Sequence, residues 1–319
     1  MRALALTAIL ALAATTVQAD PHAADYHELI LNLPDGAQMT QAFRKTTSVD
    51  KNGVVQSSTV TSAYLNTIQP TMSGYDVVKK QTAFAITVGG AETAPQSDQD
   101  RLNAVIAKAA TIGEVSFAAD GSLSPLEVKN WDEVKAKASA ALSTVLGPQS
   151  ETVFNGIYGL FDAQTAAGAF MKEDVFLAIP HNTGLTLNQP ITTNSEQAAP
   201  LGSGTLKFVT TLTLTRWDDA AHEAELDYNS APEAASLHDY LQSAMPAVLK
   251  AGGVTDDGTV RAMVAQMAIE KSTSCHYLAD TQTGLVKKAD CTVKAGVSAM
   301  GQSQITTETY GLSETLVSE

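Results

Sequence analysis

Two cysteines, 275 and 291, are the side chains whose type and spacing most directly specify a reaction. They flank Asp280-Thr-Gln-Thr-Gly284, a turn sequence, and Thr283 lies midway between them. A hairpin that closes near Thr283 sets the two thiols opposite each other, so that oxidation needs no rearrangement of the chain. A disulfide there encloses about 15 residues and stabilises the fold by roughly 3 kcal/mol in the chain-entropy model. The spacing is too wide for a CxxC redox pair, and one cysteine pair without neighbouring histidines is a poor zinc site.

The remaining polar residues point to no reaction. The histidines stand at 22, 27, 181, 222, 238 and 276. His222-Glu223 opens like HExxH, but Leu226 occupies the place of the second histidine, and strand-like alternation puts His222 outside the helix that the motif needs. Asp20-Pro21-His22 would head the chain after processing at Ala19. A terminal copper or nickel site needs the amide of the second residue, and Pro21 has no N–H. Asp50-Lys-Asn-Gly53 and Asp256-Asp-Gly258 lack the later ligands of a calcium loop and read as turns or caps. Gly296 to Gly301 does not have nucleophile-elbow spacing, and Gly202-Ser-Gly204 opens no phosphate-binding helix. No catalytic residue, metal ligand or cofactor site is assigned from the sequence.

The apolar residues of the middle region carry more information. Phe154, Ile157, Tyr158 and Phe161 recur at helical spacing, followed by Phe170, Met171, Val175, Phe176 and Leu177. They form either plain core against a sheet or a lid over an apolar cavity. On the second reading these four are the ligand-cavity candidates.

The elements that must position these residues are mostly strands. Tyr26–Leu33, Met39–Val49, Val54–Ile68 and Tyr75–Val88 alternate or carry Thr, Val and Ser, with a turn at Asp50–Gly53. A helix is expected from Ser97 to Ala110, then a hairpin around Asp120-Gly121. Asn130 caps a helix over Trp131–Leu146, stopped by Gly147-Pro148, and a further helix runs from Gln149 to Phe161 with helical character to Ile179. Residues 181–200 are loop or edge strand. Thr205–Arg216 has the clearest alternation, with Leu206, Phe208, Leu212 and Leu214 on one face. Ala221–Tyr228 follows. Pro232 opens a helix to Lys250, Asp257–Ala268 is a second, and the cysteine hairpin and a strand over Gln302–Tyr310 complete the chain.

These elements predict an α+β fold: a long antiparallel, curved sheet with helices packed on one face. The expected organisation is a signal peptide over 1–19, an N-terminal strands–helix–hairpin unit over 20–147, a helical connector over 148–200, and a C-terminal strands–helix–hairpin unit over 201–319. The two units are either a two-fold internal repeat or two ordinary hairpins in one α+β protein.

Compartment and partners follow from the ends and the charge. Met1-Arg2, the apolar run to Thr16 and Val17-Gln18-Ala19 form the pattern of a cleaved secretory signal, with maturation at Asp20. No later stretch is long and apolar enough for a membrane helix, so the expected product is periplasmic or extracellular, where disulfides persist. Twenty Lys and Arg against 34 Asp and Glu argue against nucleic acid and against attraction to anionic membranes.

Phe117-Ala-Ala-Asp-Gly-Ser-Leu, Asn130-Trp-Asp-Glu-Val-Lys and Asp280-Thr-Gln-Thr-Gly-Leu resemble patterns in exported bacterial proteins of unassigned function. The order of strands and helices is similar to that of periplasmic lipoprotein-carrier folds. This resemblance covers short scattered motifs and implies a fold only; it transfers no functional residue. The sequence thus leads to a non-enzymatic envelope protein that binds or carries an apolar ligand, such as lipid, or another envelope component. The alternatives are an interaction module with a filled core and, third, a hydrolase without a recognisable motif.

Overall fold

Stretches rich in Thr, Val and Ser, broken by short Asn- and Gly-bearing turns, extend as long strands because β-branched side chains suit a pleated, half-buried surface. The computed structural model describes residues 25–88, 113–159, 161–198, 205–251, 253, 256–299 and 301–317. Their strands are β1 (Tyr26–Leu29), β2 (Gln38–Lys51), β3 (Val54–Thr71), β4 (Gly74–Val88), β5 (Glu114–Ala119), β6 (Pro125–Val128), β7 (Thr183–Thr186), β8 (Ile191–Ala198), β9 (Thr205–Asp218), β10 (Glu223–Pro232), β11 (Ala268–Asp280), β12 (Val286–Ala299) and β13 (Gln302–Leu316). The helices are α1 (Trp131–Leu146), α2 (Ser150–Ile157), α3 (Ala163–Phe170), α4 (Lys172–Ala178), α5 (Ala234–Ala251) and α6 (Asp257–Ala265). The signal sequence and the helix expected over 97–110 lie outside the described residues.

Eleven strands form one antiparallel sheet in the order β6-β5-β4-β3-β2-β13-β12-β11-β10-β9-β8, and β1 pairs with β7 in a small second sheet. The fold is therefore α+β and mostly strand. Turn chemistry sets the local register. Between β2 and β3, Asn52 and Gly53 both take positive φ, as a two-residue hairpin turn requires, and Asp50 Oδ1 accepts the Gly53 N–H at 2.8 Å. At the centre, β2 pairs with β13 from Met39↔Leu316 to Lys51↔Gln304, so the two ends of the described chain meet in mid-sheet.

The buried side chains of the sheet share one face. Met39 and Gln41 on β2, Asn66 on β3, Lys79 on β4, Leu312 and Glu314 on β13 and Cys275 and Tyr277 on β11 are all buried. Three apolar clusters join strand residues to helical ones. One joins Met39, Ile68 and Phe117 to Trp131, Leu142 and Tyr158; a second surrounds the cysteines with Phe176, Leu226, Tyr277 and Tyr310; a third joins Leu206 and Phe208 to Tyr240, Met245 and Val264.

Several boundaries depart from the sequence expectation. β1 ends at Leu29 rather than Leu33 because the chain leaves its partner to hold two loops. The Leu31 N–H donates to Asn182 Oδ1, and the Asn32 N–H to Thr283 O. Gly284, at φ 76°, lies so close to Ile30 and Leu31 that a Cβ would stand 2.4 Å from the Ile30 carbonyl oxygen. Pro232 closes β10 opposite Phe208 instead of opening a helix, and α5 begins at Ala234. His222 sits in a turn at φ 53°, outside β10. Asn130 precedes α1 but makes no side-chain cap; its Oδ1 accepts the Ser116 N–H instead. The helix expected through Phe161 stops at Ile157, and a capping box of Asp162 and Thr165 starts α3.

Cys275 and Cys291 stand directly opposite in the β11–β12 register and form a disulfide, with an S–S distance of 2.07 Å. Both are buried in the second cluster, with Tyr277 and Tyr310. The double variant Cys275→Ala/Cys291→Ala should lose about 3 kcal/mol of stability in denaturant melts. Reductant should move the wild type toward the variant and leave the variant unchanged. A variant as stable as the wild type would show that the bridge constrains nothing.

Candidate functional site

Polar side chains at positions where a strand's inward alternation calls for apolar ones create a buried chamber. Gln41 lies opposite Glu314 across β2–β13, and Asn66 opposite Lys79 across β3–β4, all on the buried face. α4 adds Asp174, and the turn after it adds His181; both are buried. Lys79 Nζ donates to both Asp174 oxygens, at 2.8 and 2.7 Å, and Gln41 Nε2 donates to Asp174 Oδ1 at 3.1 Å. The Lys79 ammonium also stands 4.4 Å from the centre of the Tyr64 ring. Burial raises the Tyr64 pKa, against the opposing charge of Lys79.

His181 is positioned by its Nδ1, 2.8 Å from Ser122 O, and its Nε2 faces Glu314 Oε2 at 3.5 Å. A carbonyl oxygen can only accept, so Nδ1 carries the proton. Gln41 Oε1, Asn66 Oδ1 and His181 Nε2 have no hydrogen-bond partner among the described residues. All three residues line a cavity of about 10 Å³. That space admits one water-sized molecule and no organic substrate. The arrangement can fix an ion pair and anchor α4 to the sheet; it offers no room for substrate chemistry.

Three of the four ligand-cavity candidates lie elsewhere, in or against the first apolar cluster. Tyr158 is buried, and Phe154 and Phe161 are half-buried around it. Tyr158 stacks on Phe154 at 5.4 Å and on Phe170 at 5.3 Å, and Phe161 meets Phe170 edge-on at 5.2 Å. Trp131 Nε1 donates to Phe161 O at 3.0 Å. Ile157 ends α2; its side chain is outside the described set. Neither the chamber nor the groove described below is lined by Phe154, Tyr158 or Phe161.

A second polar group lies on the same face, in the row of the disulfide and the row next to it. Glu308 accepts from Lys45 at 2.6 Å, Lys172 at 3.0 Å and the Tyr310 hydroxyl at 2.6 Å. Burial by itself would raise the Glu308 pKa, but Lys45 and Lys172 outweigh it and bring it down to about 2. Tyr310 moves the other way, raised first by burial and then by Glu308.

On the opposite face the register gathers small residues. Ser313, Ala42, Ala63 and Ala83 stand side by side, as do Gly311, Arg44, Thr61 and Ala85. They line an open groove of about 530 Å³ whose walls are mostly apolar, with Arg44 and Lys288 also on it. Arg44 is exposed and has no ionic partner among the described residues.

The sequence matches no protein-family model and no curated protein. Among the described residues, no three His, Cys, Asp or Glu side chains are grouped as a metal ion would need, and no helix is long and apolar enough to cross a membrane.

Sequence reading singled out the cysteines and missed the chamber. The signal for it was present: Gln41 shares strand parity with Met39 and Phe43, Lys79 with Val77, and Glu314 with Leu312 and Leu316. A charge at an inward position is costly unless it is paired. Asp174→Ala should therefore cost about 3–5 kcal/mol in urea melts by leaving the Lys79 ammonium buried and alone, while Lys79→Met/Asp174→Leu should regain most of the loss. A single-variant cost below about 1 kcal/mol would show that the pair does not hold α4 in place.

The Glu308 shift has a definite sign. Its folded-state pKa of about 2 lies below the ordinary 4.5, so its contribution to stability is complete above about pH 4.5 and is lost as the pH falls toward 2. Thermal melts of Glu308→Gln across that range should show a flatter acid-side decline than the wild type; parallel curves would refute the assignment.

Proposed function

We propose that this protein is a non-enzymatic, exported binder or carrier of an apolar ligand. The observation that carries the reading is the groove of about 530 Å³ on the face opposite the chamber. Its volume falls within the roughly 300–1,000 Å³ of small-molecule sites, and its mostly apolar wall with one unpaired cation suits a ligand with an aliphatic body and an anionic end. Ala42, Ala63 and Ala83 leave backbone accessible in the floor, so an extended chain can lie close to the sheet.

Export rests on the signal-like residues 1–19 and is compatible with the disulfide. A two-fold origin of the sheet is part of the same reading. What supports it is the strand order: β2 to β6 and β8 to β12 each run consecutively in the same direction across the sheet, with β13 between them. On this reading the helices serve as a plug on the face away from the groove. The alternative, an interaction module with a filled core, is favoured by the close stacking of Tyr158 with Phe154 and Phe170.

Uptake of a fluorescent fatty-acid probe separates these readings. Ala42→Trp and Ala83→Trp fill the groove from exposed positions, and each should abolish uptake with little change in melting temperature. Tyr158→Ala tests the aromatic group. As core it should cost about 3–5 kcal/mol without altering uptake by folded protein. As a lid it should cost less and reduce uptake. A wild type that takes up no probe, or groove variants that bind as well as the wild type, would leave the interaction module standing.

A further inference from the structure

The chamber between α4 and the sheet gathers acceptors that no donor meets. Gln41, Asn66 and His181 are 3%, 1% and 2% exposed, and Gln41 Oε1, Asn66 Oδ1 and His181 Nε2 lack a hydrogen-bond partner among the described residues. Register brings them together. Gln41 lies opposite Glu314 on β13, and Asn66 on β3 lies opposite Met39, two residues before Gln41 on the same face of β2. His181 enters from the turn after α4. Neither Gln41 nor His181 can turn round to donate into the space: Gln41 Nε2 is engaged by Asp174 Oδ1 at 3.1 Å, and His181 Nδ1 by Ser122 O at 2.8 Å. All three residues line the one cavity of about 10 Å³, together with Asp174 and Glu314.

The lining also carries more negative than positive charge. Lys79 neutralises Asp174. Glu314 is buried, accepts the Val286 N–H at 3.2 Å, and has no lysine or arginine partner among the described residues. His181 Nε2 faces Glu314 Oε2 at 3.5 Å, longer than the roughly 2.7–2.9 Å of a charge-assisted bond, so the two atoms meet as acceptors. Buried acceptors are costly unless a donor reaches them. The space holds one water-sized guest. A water donates two hydrogens, fewer than the orphaned acceptors, and brings no charge. A metal ion fits poorly: no three His, Cys, Asp or Glu side chains among the described residues are grouped to hold one, and hard cations favour oxygen over an imidazole nitrogen. Ammonium has the size of a water, a single positive charge and four N–H donors.

We propose that the chamber is a binding site for one ammonium ion, which donates to Gln41 Oε1, Asn66 Oδ1, His181 Nε2 and the Glu314 carboxylate. The bound ion ties β2, β3 and β13 to the turn after α4, so ammonium stabilises the fold by mass action. The site is independent of the groove, which lies on the other face of the sheet.

Equilibrium urea melts in chloride salts at constant pH and ionic strength test this, because unfolding opens the closed chamber to every ion. The wild-type midpoint should rise with ammonium concentration and stay flat in tetramethylammonium, which is too large and has no N–H. Potassium, close to ammonium in size but without donors, should act at least about tenfold more weakly. Glu314→Gln removes the charge and lets its own amide donate to His181 Nε2; Asn66→Leu removes an acceptor. Each should weaken the apparent ammonium affinity at least about fivefold. Should Glu314→Gln fail to fold, Asn66→Leu carries the test. A second measurement reads the ion itself: wild type refolded in nitrogen-15 ammonium should show a bound ammonium signal in proton–nitrogen spectra, distinct from the free ion and lost in Asn66→Leu. The proposal is overturned if ammonium acts no better than tetramethylammonium, the result expected of a buried water alone. It is equally overturned if potassium matches ammonium, or if Asn66→Leu keeps the full ammonium response.

Discussion

The buried ion pair of Lys79 and Asp174 is the contact on which the interior depends. It joins β4, near one end of the sheet, to α4, which lies over the centre near Tyr310. Two charges taken out of water are stable only when geometry and hydrogen bonding are nearly complete, and here Gln41 adds a third donor to the carboxylate. The requirement propagates. Gln41 must point inward, so its neighbour Glu314 does as well, and His181 closes over Glu314 while bound to the Ser122 carbonyl. An apolar core of the same volume would tolerate sliding of α4 along the sheet; a directional pair does not.

The two faces of the sheet divide the chemistry. The buried face holds the disulfide, the chamber and Glu308 with its lysine partners, and the opposite face carries small residues across four neighbouring strands. Such a division is natural for a long antiparallel sheet, whose residues alternate sides at every step.

The sheet was legible in the sequence because its signals are local. Alternation at Leu206, Phe208, Leu212 and Leu214 specifies β9, and the midpoint of the cysteines at Thr283 specifies the pairing of β11 with β12. The aromatic spacing from Phe154 to Phe161 does not reveal the partners of these rings, Trp131 and Phe170, which are distant or lie beyond a helix break. Pro232 and His222 were misplaced because propensity for a helix start or a strand was overridden by pairing with Phe208 and by a tight turn. The chamber, the ion pairs of Glu308 and the groove were not legible. Gln41, Lys79, Asp174, His181 and Glu314 are scattered over most of the chain, and only the order of strands brings them together. That β13 lies between β2 and β12 is a long-range fact that no short window contains.

The pairing of β2 with β13 has a consequence for the history of the molecule. A ribosome delivers β2 well before β13, yet they are neighbours over thirteen consecutive residue pairs. Until β13 emerges, β2 presents an open row of amides and carbonyls, a template for any extended chain it meets. Completion of the sheet is therefore tied to the emergence of β13. A chain cut short before Gln302 would lack the central seam and expose an adhesive edge. The junction of early and late strands works as a built-in inspection step, in which only a polypeptide that has reached β13 conceals its own stickiest border.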